Sequence, residues 1–270
     1  MTNTRGMRQE GTSMANIGNY KIIKEISEGG FGRIFQAEHL YLPKKYACLK
    51  QNKNDSPDHV ELLKLEAMLL WELNEHHSIP HTKDFFKVST NNYVMVMDYI
   101  QGQTIGEMVS THSRLHPEEA CWITERLLGA LYYCHYNGVI HSDVKPENVF
   151  IEQKKHDIKL IDFGLAAYLP TSRTMPSGYT ERYAAPELIA GKPPVPETDL
   201  YGAGIVLLYA LGGDVSAKRL PPDTPPELIH YCNTLLRYDP AERPNWEKSN
   251  PLEALSNLRL KVFGRRHMSS

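Results

Sequence analysis

The chain of 270 residues sets 30 Lys+Arg against 32 Asp+Glu, a net charge of −2, with 41% hydrophobic residues. Near-balance of charge argues against a nucleic-acid backbone as the main ligand, which calls for a basic excess, and the apolar share excludes general disorder and allows a sizeable two-lobed core. No apolar run approaches the roughly 18 residues of a membrane span, no signal-peptide pattern is visible, and Cys48, Cys121, Cys134 and Cys232 form no CxxC pair, which together predict a soluble cytoplasmic protein with free thiols.

In chain order, residues 1–19 are polar, aperiodic and rich in Thr, Asn, Gly and Met, which predicts a flexible tail. From Tyr20 to Lys50, short apolar alternations broken by glycines and Pro43 predict three strands. Between the first two lies Glu28-Gly29-Gly30-Phe31-Gly32-Arg33-Ile34. Glycines let a backbone approach phosphates and offer them successive N–H groups, although a plain Gly-rich hairpin turn explains the segment equally well. No Gly-Lys-Ser/Thr follows and no helix opens directly after it, so it is neither a Walker A loop nor a dinucleotide fingerprint. The third strand ends Tyr46-Ala47-Cys48-Leu49-Lys50.

Ser56-Pro57-Asp58 has the form of a helix start, with proline at the first helical position and an acid in the first turn. Leu62, Leu65, Leu69 and Leu73 follow at helical spacing. Glu66 stands four residues from both Leu62 and Leu70, on an otherwise apolar face. A carboxylate there requires a cationic partner, and Lys50 is the natural candidate. Strands around residues 85–88 and 93–97 close a first lobe over 20–98.

The remainder, 99–258, is helix-rich, giving an α+β layout of two unequal lobes. Pro117-Glu118-Glu119 opens a helix whose apolar face (Ala120, Ile123, Leu127, Ala130, Leu131, Cys134) runs to a stop at Asn137-Gly138. Residues 203–211 form a buried helix, and a further helix covers 226–237. The basic ending, 259–270, with Arg259, Lys261, Arg265 and Arg266, predicts a solvated tail.

The chemistry concentrates in His141-Ser142-Asp143-Val144-Lys145-Pro146-Glu147-Asn148 and in Ile158-Lys159-Leu160-Ile161-Asp162-Phe163-Gly164. The first segment packs an acid, a lysine and an amide into one short loop. Phosphoryl transfer needs those parts: a carboxylate to orient a hydroxyl, a cation for the phosphate and an oxygen ligand for a hard metal ion. The second delivers a carboxylate at the end of an apolar strand. A single such acid is often just a turn residue; two of them, with Lys145 and Asn148 between, are harder to explain that way.

These segments, with Ala185-Pro186-Glu187, Asp199 before the apolar helix and Asp239-Pro240-Ala241-Glu242-Arg243-Pro244, resemble the eukaryotic-type protein kinase superfamily, Ser/Thr branch. The similarity runs from about Tyr20 to Leu255. It implies the bilobal protein-kinase fold, with a small β-rich N-lobe carrying one main helix and a larger α-helical C-lobe. It further implies ATP and Mg2+ (with Mn2+ as a substitute) as cofactors and proteins as substrates. By the resemblance, Gly29, Gly30 and Gly32 lie in the loop over the ATP phosphates, and Lys50 contacts the α- and β-phosphates while held by Glu66. Backbone groups of Asp98 and Ile100 bind the adenine edge, Met97 guards the pocket behind it, and Ile34, Ala47 and Phe150 sandwich the ring. Asp143 accepts the substrate hydroxyl proton, Lys145 steadies the γ-phosphoryl group, and Asn148 and Asp162 hold the metal. Thr180 bridges Asp143 and Lys145, Glu187 pairs with Arg243, and His141 packs against Phe163 instead of acting as a base.

The chain departs from the family pattern in three places. Ser27 replaces the first glycine of the phosphate loop, and Ser142 replaces the arginine that normally precedes the catalytic aspartate and receives an activation-loop phosphate. Only 15 residues, four of them proline, separate Leu211 from Glu227, which shortens the family's usual helical insert. The compact form resembles bacterial eukaryotic-like kinases more than animal ones. A pseudokinase scaffold is the main alternative, opposed by the presence of Lys50, Glu66, Asp143, Asn148 and Asp162. A small-molecule phosphotransferase is opposed by Asp-Phe-Gly, Ala-Pro-Glu and Asp199.

Overall fold

In the computed structural model, residues 15–29 and 32–264 are described. The chain divides into two compact units, one built from residues through Val60 together with Lys83–Tyr99, the other from Glu61–Thr82 together with residues from Ile100 onward.

The first unit is an antiparallel sheet of β1 (Asn16–Ile17), β2 (Tyr20–Glu28), β3 (Gly32–His39), β4 (Tyr46–Asn52), β5 (Thr82–Ser89) and β6 (Asn92–Asp98), in spatial order β1-β2-β3-β4-β6-β5. Alternation puts Phe35 and Ala37 of β3 and Ala47 and Leu49 of β4 on one face, where they close a core with Tyr20, Val94 and Val96. Ile34 lies opposite Lys50 on the face away from that core, whereas Ala47 lies opposite Ala37 within it, so strand alternation corrects the expectation that Ile34 and Ala47 present one common face to an adenine ring. β1 corrects the expected tail: Asn16 and Ile17 pair with Lys21 and Tyr20, because Gly18, at φ 55°, turns the chain back on itself. The rest of that tail, residues 1–14, lies outside the described residues.

Helix α1 (Pro57–Glu72) begins as the Ser-Pro-Asp signal predicts. The division near residue 98 is present between Tyr99 and Ile100, but Glu61–Thr82, with most of α1, cluster with the second unit instead of the first. That unit continues with β7 (Gln103–Thr104), α2 (Ile105–His112), α3 (Pro117–Tyr136), β8 (Val139–Ile140), β9 (Val149–Glu152), β10 (Asp157–Leu160), β11 (Ala167–Tyr168), α4 (Pro186–Ile189), α5 (Pro196–Ala210), α6 (Pro226–Leu235) and α7 (Pro251–Phe263). Helix α2 starts at a reciprocal capping box: the Glu107 N–H donates to Thr104 Oγ1, and the Thr104 N–H donates to Glu107 Oε2.

Almost all of α5 is buried, as an all-round apolar helix must be. Its Gly202 is required by packing, since a Cβ there would sit 2.6 Å from the Val144 Cβ and 2.8 Å from the Val144 carbonyl oxygen. The absence of that side chain lets α5 press directly on the 141–148 loop. Between α5 and α6 the described chain has no helix; reciprocal backbone bonds between Asp214 and Arg219 (2.9 and 3.1 Å) close the short connection.

The start of the expected basic tail is corrected as well, because α7 continues through Phe263; Arg265 and Arg266 lie outside the described residues. Arg259 is only 1% exposed and pairs with Glu125 of α3. Local charge suggests solvent, but Arg259 stands four residues after the buried Leu255 and so shares its inward face. Among the described residues no helix is long and apolar enough to cross a membrane.

Candidate active site

The second unit assembles one half of the predicted site around Asp199. This carboxylate is 1% exposed and accepts the backbone N–H groups of His141 (2.8 Å, at Oδ2) and Ser142 (2.8 Å, at Oδ1). Those bonds hold Ser142 at φ 66°, a left-handed conformation that costs a non-glycine residue roughly 1–2 kcal/mol. His141 extends the brace to the next strand. Its Nδ1 accepts the Asp143 N–H at 3.3 Å, so its Nε2 carries the proton and donates to the Ile161 carbonyl at 3.0 Å. The ring also meets Phe163 edge to face at 4.6 Å, the structural role expected of it. Asp162, directly after Ile161, is the second site residue with positive φ, at 64°.

On this frame Asp143, Lys145 and Thr180 form a closed triangle. The Thr180 hydroxyl donates to Asp143 Oδ1 (2.7 Å), while Lys145 Nζ donates to Asp143 Oδ2 (2.5 Å) and to Thr180 Oγ1 (2.8 Å). Asn148 turns its amide nitrogen toward Asp143, donating to its carbonyl at 2.9 Å and to Oδ2 at 3.3 Å. That orientation leaves the Asn148 Oδ1 as the group for a cation, and with the Asp162 carboxylate the unit supplies the oxygen donors a hard divalent ion prefers. Glu187 and Arg243 pair through two parallel bonds of 2.6 and 2.8 Å, both residues buried. The remaining donors of Arg243 go to the carbonyls of Arg237, Glu197 and Tyr238.

Three contributors were not foreseen from the sequence. The Tyr183 hydroxyl donates to the exposed Glu147 at 2.7 Å, and burial together with this carboxylate pushes the phenol well above its ordinary pKa. Asp199 was recognised as a motif position but not as the acceptor that shapes the loop. His135, at the end of α3, lies 2.8 Å from Asp199 Oδ2. No local pattern marks these contacts, because they join residues 36, 57, 58 and 64 positions apart.

The first unit carries the other predicted residues. The Gly29 N–H donates to the Gly32 carbonyl (2.9 Å) and closes the β2–β3 hairpin, while Gly30 lies outside the described residues. The two described glycines differ in kind. A Cβ on Gly32 would fall 2.1 Å from the Gln51 carbonyl oxygen, so β4 itself demands glycine there, whereas a Cβ on Gly29 would meet nothing within 4 Å. Lys50 is buried in β4. Met97 and Asp98 end β6. Ile100, Phe150 on β9 and the buried Glu66 on α1 belong to the second unit.

A loop braced to offer an acid, a cation and an amide, with a second acid just past a strand end, has the form of a protein kinase catalytic region, and comparison agrees. Residues 20–251 match the protein kinase domain family, and the chain belongs to it. That family uses ATP and a divalent metal ion. Among curated proteins the chain is similar to Serine/threonine-protein kinase D of Synechocystis sp., 34% identical over 75% of this chain and 41% of that protein. It is similar also to Serine/threonine-protein kinase PrkC of Bacillus subtilis, 28% identical over 91% of this chain and 37% of that protein. A yeast relative, the carbon catabolite-derepressing protein kinase of Saccharomyces cerevisiae, is 30% identical over 77% of this chain and 32% of that protein. The chain thus corresponds to about two fifths or less of the length of these relatives.

Proposed function

We propose that the chain is a protein Ser/Thr kinase catalytic domain that moves the γ-phosphoryl group of ATP onto Ser or Thr hydroxyls of protein substrates. The observation that carries this is the Asp143–Lys145–Thr180 triangle, in which one carboxylate is oriented at both oxygens. Asp143 is the base that takes the hydroxyl proton, Lys145 neutralises charge on the transferring phosphoryl group, and Lys50 serves the α- and β-phosphates. Asn148 and Asp162 would hold Mg2+, whose chemistry is to neutralise phosphate charge. The bare space beside Gly29 supports close approach of a ligand to that backbone, because no neighbour among the described residues explains the missing side chain. The short α5–α6 connection supports a reduced docking surface for substrates.

Incubation with radiolabelled Mg-ATP and a generic basic protein tests the proposal. Incorporation into phosphoserine and phosphothreonine is expected, with little phosphotyrosine. Label confined to small aminated acceptors, or dominated by phosphotyrosine, would overturn it.

A further inference from the structure

Beneath the catalytic loop, Asp199 has a third donor whose orientation is set from farther out. His135 is 3% exposed at its side chain and uses both ring nitrogens: Nε2 faces Asp199 Oδ2 at 2.8 Å, and Nδ1 faces the indole Nε1 of Trp246 at 2.8 Å. An indole nitrogen can only donate. His135 Nδ1 is therefore the acceptor, the ring proton sits on Nε2, and that proton is delivered to Asp199. The imidazole is pinned at two opposite points and cannot rotate without leaving a buried polar atom bare. Trp246 lies in the turn before α7 and is itself fixed edge to face on Tyr132 of α3, with ring centroids 5.2 Å apart. One unbroken series of hydrogen bonds thus leads from the indole through His135 and Asp199 to the N–H groups of His141 and Ser142, the residues that precede the base.

We infer that Trp246 is a positioning residue for the catalytic loop: its N–H holds His135 in the Nε2–H tautomer, and His135 in turn holds the face of Asp199 that shapes the backbone before Asp143. Loss of the indole N–H leaves His135 Nδ1 buried with no partner, so the ring swings to find one and Asp199 Oδ2 loses a donor. The backbone at His141 and Ser142 then samples other conformations, which the positive φ of Ser142 already favours once its bonds weaken. The effect falls on the step that uses Asp143 and spares nucleotide affinity. Only its consequence for turnover rests on the kinase proposal; the effect on the loop does not.

The test compares the whole chain with Trp246→Phe, which keeps the aromatic contact with Tyr132 and removes the N–H. Amide hydrogen exchange at His141 and Ser142 is expected to rise at least tenfold in Trp246→Phe, with the amides of α6 unchanged. Two-bond proton–nitrogen spectra of the His135 ring should show the Nε2–H tautomer in the parent chain and lose that single signature in the variant. His135→Gln, which offers an amide N–H to Asp199 and a carbonyl to the indole, should retain loop protection, and His135→Leu should not. In phosphoryl transfer, Trp246→Phe should lower kcat three- to tenfold with KM for ATP within twofold. Unchanged exchange at His141 and Ser142 in Trp246→Phe would overturn the inference, as would a parent ring protonated on Nδ1. A parent chain without transferase activity would count against the kinase proposal alone, since exchange and tautomer are read without turnover.

Discussion

Two regions expected to serve one reaction are built in opposite ways. In the loop 141–148, Asp143, Lys145 and Asn148 are each held by side chains of the same unit, and the loop backbone is tied to a carboxylate with almost no exposure. The β2–β3 hairpin keeps its shape through backbone pairing and an exposed ion pair between Arg33 and Glu25 (2.6 Å). The loop stores strain at Ser142 and spends buried hydrogen bonds to keep it; the hairpin stores none at Gly29 and leaves space beside it. A group that must meet a hydroxyl at one fixed distance is set before the substrate arrives. The hairpin, proposed to lie over a polyphosphate, is tied at Gly29 by backbone pairing alone.

The largest expected effect is at the loop's base. Asp143→Asn should lower phosphoryl transfer by about 10³-fold, within the usual range for a general base, with an unchanged melting temperature and retained ATP binding. A variant that kept full turnover would end the assignment of the base. Asp162→Asn sharpens the contrast, because it should lose the Mg2+-dependent part of nucleotide binding, measured by titration with and without the metal.

Next in size is the difference between a buried ion pair and an exposed one. Arg243→Ala leaves Glu187 charged and shut away from water, and should cost about 3–5 kcal/mol in denaturant unfolding. Arg33→Ala should leave the unfolding midpoint where it was, because solvent screens that pair. Equal losses from the two variants would erase the distinction drawn between the regions.

The two described glycines divide the hairpin itself. Gly32→Ala should lower the melting temperature, since the new methyl meets the Gln51 carbonyl oxygen at 2.1 Å. Gly29→Ala should leave the melting temperature unchanged and raise the KM for ATP severalfold, because the space its methyl fills is proposed to belong to the ligand.

The smallest effect is expected where the arginine before Asp143 is missing. Ser142 is 7% exposed, uncharged, and spends its N–H on Asp199, so it cannot receive a phosphate placed on the activation segment. Replacing Thr171, Ser172, Thr174 and Ser177 together by alanine should change turnover by less than tenfold, and phosphatase treatment likewise. A drop of a hundredfold, about 2.7 kcal/mol of transition-state stabilisation, would make loop phosphorylation the switch after all.

What the sequence determined by itself is local or motif-borne. Pro57 and Pro117 start helices where proline fits the first turn, and the alternation in β3 and β4 sets which side chains face the core. The catalytic segments are legible because Asp143, Lys145 and Asn148 must sit on one short loop, and short spacing survives in a linear code. Helix α2 was not predicted: Thr104 and Glu107 stand at capping-box spacing, but eight residues are too few to show a repeating apolar face. Tertiary structure alone decided the rest. Arg259 is a residue of a buried ion pair and not of a solvated tail, because charge is read locally while burial depends on which helix packs against it. Asp199 gathers donors from α3 and the catalytic loop, and Trp246 reaches that carboxylate through His135, from which it stands 111 residues away. Such contacts carry no sequence signature, since a hydrogen bond requires only that two groups meet, and folding alone determines which groups do.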